Sequence, residues 1–174
     1  VPQSGEAPKE QKKPQRENLC VLRDLRGKQL MTLPEKLQEI VEDFSWASRE
    51  EKVEMLIQYA ESLPPLPEWL HEERDKMDPV PECMTPVFLF AEKNEDGSLH
   101  FHFDIPPQSP TVQGLAAILA NGLNGAKPEE ILAVPADFYT EMNLQDAISF
   151  QRLNGFQGVL AHMKQAAVKL IGEN

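Results

Sequence analysis

Cysteine is scarce in this chain, with two residues in 174, Cys20 and Cys83. Two thiols in a chain of this length give no disulfide framework, so a reducing compartment is expected. No apolar run approaches the roughly 20 residues of a membrane-spanning helix, and no signal peptide is visible. A cytoplasmic location is therefore expected, with an organellar one after removal of a targeting segment left open. The run Gly122-Leu123-Asn124-Gly125-Ala126-Lys127 lacks the Gly-Lys-Ser/Thr ending of a phosphate loop and follows a helical pattern rather than a strand. A Gly-x-Ser-x-Gly nucleophile elbow is also missing. Positive charge is short as well: 17 Lys and Arg stand against 28 Asp and Glu, for a net charge of -11. Residues 1–33 are net +3 and the remainder net -14. Phosphate backbones would be repelled by such a body, so nucleic acid is disfavoured as a partner and a basic protein surface fits better.

The length suits one domain with a real core. Residues 1–31, rich in proline and charge, read as a disordered basic tail, and residues 32–174 as the folded domain. A helix is expected to open at Thr32-Leu33-Pro34-Glu35, with Thr32 capping and Leu37, Ile40, Val41 and Phe44 at helical spacing. A second capping box, Ser48-Arg49-Glu50-Glu51, starts a helix with Val53, Leu56, Ile57 and Ala60 on one face. It ends at Leu63-Pro64-Pro65-Leu66-Pro67, where proline forbids continuation. A hairpin follows, Thr85–Lys93 and Ser98–Asp104 about an Asp96-Gly97 turn. Helices are then expected over Pro110–Asn124, Pro128–Ala133, Ala136–Met142 and Asn154–Ile171. Helices, a hairpin, then helices make the fold class α+β.

Cys83 sits at the most conspicuous junction. It follows the helix-hostile Asp78-Pro79-Val80-Pro81-Glu82 and precedes the β-forming Val87-Phe88-Leu89-Phe90-Ala91. A thiol on a proline-punctuated loop at the mouth of a strand can be presented to a partner, although free cysteines are also common as small buried hydrophobes. On the second strand His100, His102 and Asp104 share one face, opposite Phe101 and Phe103. With Cys83 they form the alternative site, a zinc or iron–sulfur scaffold built from sulfur, nitrogen and oxygen ligands. A solvated polar face is the plainer reading of the three strand residues. A free-standing thiol enzyme such as a peroxidase is disfavoured, because no residue next to Cys83 in sequence would activate the thiol. Cys20 reads as tail chemistry, or as a resolving thiol.

From about Val41 to Ala167 the chain resembles the SufE family, sulfur acceptors that work with cysteine desulfurases in iron–sulfur cluster assembly. The matching stretches come in the family's order: Trp46-Ala47-Ser48-Arg49-Glu50-Glu51-Lys52, Leu63-Pro64-Pro65-Leu66, and Pro81-Glu82-Cys83-Met84-Thr85-Pro86-Val87-Phe88. Gly97 to Asp104, Val112-Gln113-Gly114-Leu115, Pro128-Glu129-Glu130-Ile131 and Gln151-Arg152-Leu153-Asn154-Gly155 follow. The resemblance implies a SufE/IscU-like fold, with an antiparallel sheet of about three strands flanked by helices. It implies that Cys83 takes a persulfide from a pyridoxal-phosphate-dependent, SufS-like cysteine desulfurase, stimulates that enzyme, and passes the sulfur to a cluster scaffold complex. The cofactor belongs to the partner, and this chain is expected to carry none. Arg152 matches a family arginine and is expected to steady the thiolate or its loop; the plainer reading is a helix-start arginine paired to a surface carboxylate. Four residues depart from the family pattern: Glu82 stands where Gly is usual, Thr85 for Ser, Pro86 in the next position, and Phe88 for Trp. A carboxylate beside the thiol should disfavour the thiolate.

Overall fold

The computed structural model describes residues 33–172. The tail at 1–31, Cys20 and the expected cap Thr32 lie outside them. Among the described residues six α-helices and three strands follow in order: α1 Glu35–Trp46, α2 Arg49–Ser62, α3 Glu68–Glu72, β1 Asp78–Pro79, β2 Phe88–Lys93, β3 Leu99–Asp104, α4 Pro110–Leu123, α5 Pro128–Ala133 and α6 Phe150–Gly172. The sheet is antiparallel throughout in the order β1-β2-β3. Helices with a small antiparallel sheet make the fold α+β.

Helix α4 is the centre of the molecule. Leu115, Ala116, Ala117, Ile118, Leu119, Ala120 and Leu123 are all buried, so the helix is apolar on every side and needs cover all round. It packs against α1, α2, α6 and β3, while α6 covers β2. Close approach to α2 depends on Gly114, where a Cβ would lie 2.1 Å from the carbonyl oxygen of Leu56. Leu89, Phe101 and Phe103 fill the helix-facing side of the sheet. The far edge of β3 is closed by the loop after α4: Leu99 N–H donates to the Ala126 carbonyl at 3.0 Å, and Phe101 N–H to Asn124 Oδ1 at 2.8 Å.

Local signals behave as their chemistry requires. Leu37, Ile40, Val41 and Phe44 are the buried face of α1. At the start of α2, Glu51 N–H donates to Ser48 Oγ at 3.3 Å and Ser48 N–H donates to Glu51 Oε2 at 2.7 Å, closing the expected box. Replacing Ser48 by Ala should therefore lower stability by about 1 kcal/mol, read as a shift of the urea midpoint at unchanged slope. In the β2–β3 turn Gly97 takes φ +80°, and Asp96 Oδ1 accepts from both Ser98 N–H and Ser98 Oγ.

Several expectations are corrected. Val53 and Ile57 are exposed at 39% and 45%, and α2 instead buries Lys52 and Leu56. Helix α1 has Pro34 at its cap position and no side-chain cap. Strand β2 begins at Phe88, not Thr85, because residues 81–86 loop out between the bonded ends Val80 and Val87. The expected helix Ala136–Met142 reduces to a single 3₁₀ turn at Phe138–Thr140. The last helix starts four residues early, at Phe150, which moves Arg152 from before the helix into its first turn. Strand β1 was hidden because Pro79 reads as a breaker; it pairs at a sheet edge, where a missing N–H is tolerated. No helix among the described residues is long and apolar enough to cross a membrane.

Candidate functional site

The loop carrying Cys83 is pinned at its base by the backbone bond from Val80 N–H to the Val87 carbonyl at 2.9 Å. A turn inside it is closed by Cys83 N–H donating to the Val80 carbonyl at 3.2 Å. At its exit Thr85 Oγ1 lies 3.5 Å from Ser109 Oγ, tying the loop to the residue that precedes α4. The loop lies against α6, and two glycines of that helix make the fit possible. A Cβ at Gly155 would stand 2.8 Å from Cys83 Sγ, and one at Gly158 would stand 2.7 Å from Cβ of Glu82. One turn further on, His162 Nε2 meets Glu82 Oε2 at 3.2 Å. The thiol is thus seated on bare helix backbone, with its neighbour's carboxylate fastened to the same helix.

Beside the thiol opens a cleft of about 270 Å³ between the first turns of α4 and α6. Val112, Leu115, Phe156 and Val159 line its apolar wall, and Gln151 and Arg152 its polar rim. Met84, 82% exposed, and Phe150, 74% exposed, stand out from the same end of the molecule. Cys83 itself is half-buried and is the single free cysteine of the described residues. Burial pushes its pKa up from 9.0 to about 11, and the adjacent Glu82 carboxylate adds to the shift. The resting thiol is therefore protonated at neutral pH. This matches the expectation for a carboxylate beside it, with desolvation the larger cause. Its alkylation rate should keep rising with pH through about 11. The group's raised folded-state value also sets a sign for stability. The favourable contribution is complete below 9.0 and is lost as pH climbs from there to about 11. Glu82→Gln, which removes the smaller cause, should quicken alkylation at pH 8 by about 2- to 3-fold. An unchanged rate would mean the carboxylate is fully screened.

The other expected site residues divide. Arg152 lines the cleft with Cys83 but is exposed, with no ion pair among the described residues. A cation in the first turn of a helix opposes the backbone dipole, so local stability does not account for its position. His100 and His102 do share a face, their ring centroids 4.6 Å apart. Asp104 does not join them, because Arg74 Nη2 engages its Oδ2 at 2.6 Å. Cys83 does not join them either, being seated on α6. The ligand set Cys83, His100, His102 and Asp104 is therefore not assembled. Gly155, Gly158 and His162 were missed as site residues. Their role depends on a contact more than 70 positions away along the chain, for which helical spacing carries no signal.

Comparison with known proteins bears on the family and the fold. The model of the SufE family, described as the Fe-S metabolism associated domain, matches residues 38–167. A SufE-like protein of Mycobacterium tuberculosis is 42% identical over 134 residues, covering 77% of this chain and 92% of its own length. A SufE-like protein of Synechocystis is 33% identical over 138 residues, covering 79% and 83%. The solution structure of a hypothetical protein from Thermus thermophilus aligns with a TM-score of 0.71 at 31% identity, over 80% of this chain and 98% of that one.

Proposed function

The chain belongs to the SufE family, and from that premise we propose that it accepts sulfur on Cys83 from a cysteine desulfurase and relays it to iron–sulfur cluster assembly. The observation that carries the reading is the seat of Cys83: a single thiol on a pinned loop, backed by Gly155 and opening beside an apolar cleft. The desulfurase presents a persulfide on its own cysteine. Cys83 attacks as the thiolate at the outer sulfur; the bond between the two donor sulfurs breaks as the new sulfur–sulfur bond forms. The donor cysteine leaves as a thiolate and takes up the proton that Cys83 gave. The transfer is redox-neutral, and Cys83 becomes the persulfide.

Two features of the resting site bear on this step. A thiol raised to about 11 is a poor nucleophile at neutral pH and resists adventitious oxidation. Docking must therefore supply what the free protein lacks, by drawing the loop off α6 into a more polar setting or by bringing a cation near Glu82. The exposed Met84 and Phe150 and the cleft rim form the face that meets the partner. The partner in this reading is a SufS-like enzyme holding its own pyridoxal phosphate, and the next acceptor is a scaffold complex. The test is intact-mass analysis after incubation with a desulfurase and cysteine, where this protein should gain one sulfur on Cys83.

A further inference from the structure

The outer face of the β2–β3 hairpin carries a cluster that the sulfur chemistry does not use. Register places Glu92 directly across from His100, and His102 follows two positions along on the same face. Their ligand atoms, a carboxylate oxygen and one nitrogen from each ring, all lie within 4.8 Å of one another. His102 Nε2 already meets Glu92 Oε1 at 2.8 Å. The indole of Trp69 stands edge-on to both His102 and Phe90, at 6.1 and 5.4 Å between centroids, and walls the cluster on one side. All three residues are half-buried, so their side chains are partly held while the site stays open to solvent.

We propose that Glu92, His100 and His102 form a site for a divalent transition-metal ion of the zinc class. Two imidazoles and one carboxylate are a donor set that zinc accepts, with a fourth position left for water or another ligand. Tetrahedral zinc with bonds near 2.0–2.1 Å holds its ligand atoms about 3.4 Å apart. The present spacings reach that by small side-chain rotations on a fixed two-stranded frame. The site is separate from Cys83 and from Asp104, which Arg74 already holds.

The experiment uses the full chain with both thiols removed, Cys20→Ser with Cys83→Ser, so that sulfur cannot bind metal. Zinc chloride is titrated in competition with a chromophoric chelator. One zinc per chain is expected, and His100→Ala or His102→Ala should weaken it by at least about 10- to 100-fold, since even outer-sphere losses cost that much. Glu92→Gln keeps the shape and the cross-strand hydrogen bond, and should weaken zinc in the same direction even if His102→Ala fails to fold against Trp69. No binding to the thiol-free chain, or equal binding by it and Glu92→Gln, overturns the proposal. Sulfur acceptance by a thiol-containing Glu92→Gln chain should be unchanged, so the two sites fail or stand independently.

Discussion

Wild-type protein incubated with a cysteine desulfurase and cysteine should gain about 32 Da, one sulfur atom added to a thiol, and Cys83→Ser should gain none. The effect is all or nothing, because Ser offers an oxygen that cannot hold sulfane sulfur and no other cysteine lies within the described residues. Cys20→Ser is expected to load like wild type. Sulfur retained by Cys83→Ser would place the acceptor elsewhere and sink the assignment. The substitution should leave folding nearly intact, since Oγ fits where Sγ rests on Gly155. Unfolding midpoints measured beside the mass spectra separate loss of chemistry from loss of structure.

The second large effect should come from Gly155→Ala. The added Cβ would lie 2.8 Å from Cys83 Sγ, while Cys83 Cα and Cβ stay at ordinary contact distances of 3.5 and 3.7 Å. Only the sulfur has to move, and it can do so by rotating towards the cleft. Stability should change little, because Ala is favoured over Gly in a helix interior by about 1 kcal/mol and this offsets the local crowding. Reactivity should change more. If the pKa fell fully from about 11 to 9.0, thiolate at pH 8 would rise about 100-fold. Each thiolate would be about 10-fold less nucleophilic at the lower basicity, leaving a net gain of about 10-fold in alkylation rate. An alkylation rate equal to wild type would mean that the thiol does not rest on Gly155.

What the sequence discloses follows from the range of the interaction. The Ser48–Glu51 box, the Asp96-Gly97 turn and the α1 face of Leu37, Ile40, Val41 and Phe44 involve neighbours within a few residues, and each was legible. The alternation of Phe101 and Phe103 showed which side of β3 is buried, and with it the shared face of the histidines. Glu92 was not seen beside them because cross-strand partners need the register, and a one-residue slip would have turned it to the other face. Val53 and Ile57 misled for a related reason. Helical spacing defines a stripe, but whether a neighbour covers it depends on α4, whose Gly114 lets the backbones meet along the line of Leu56. Cys83 stood out by its flanking prolines, whereas the glycines beneath it did not, since only the folded chain brings residues 83 and 155 together.

The bare backbone at Gly155 has a consequence for cargo. Space sufficient for a hydrogen is all that separates the helix from Sγ, and a bound sulfur would extend about 2.05 Å beyond it. Such an atom has no room on the helix side and must turn towards the cleft, whose apolar wall includes Val112, Leu115 and Phe156. The empty and laden forms therefore cannot present the same profile at the loop. In the transfer proposed above, delivery would gain a direction from this: a desulfurase shaped to the seated thiol would lose its fit once the sulfur had crossed, and a recipient shaped to the occupied cleft would gain one.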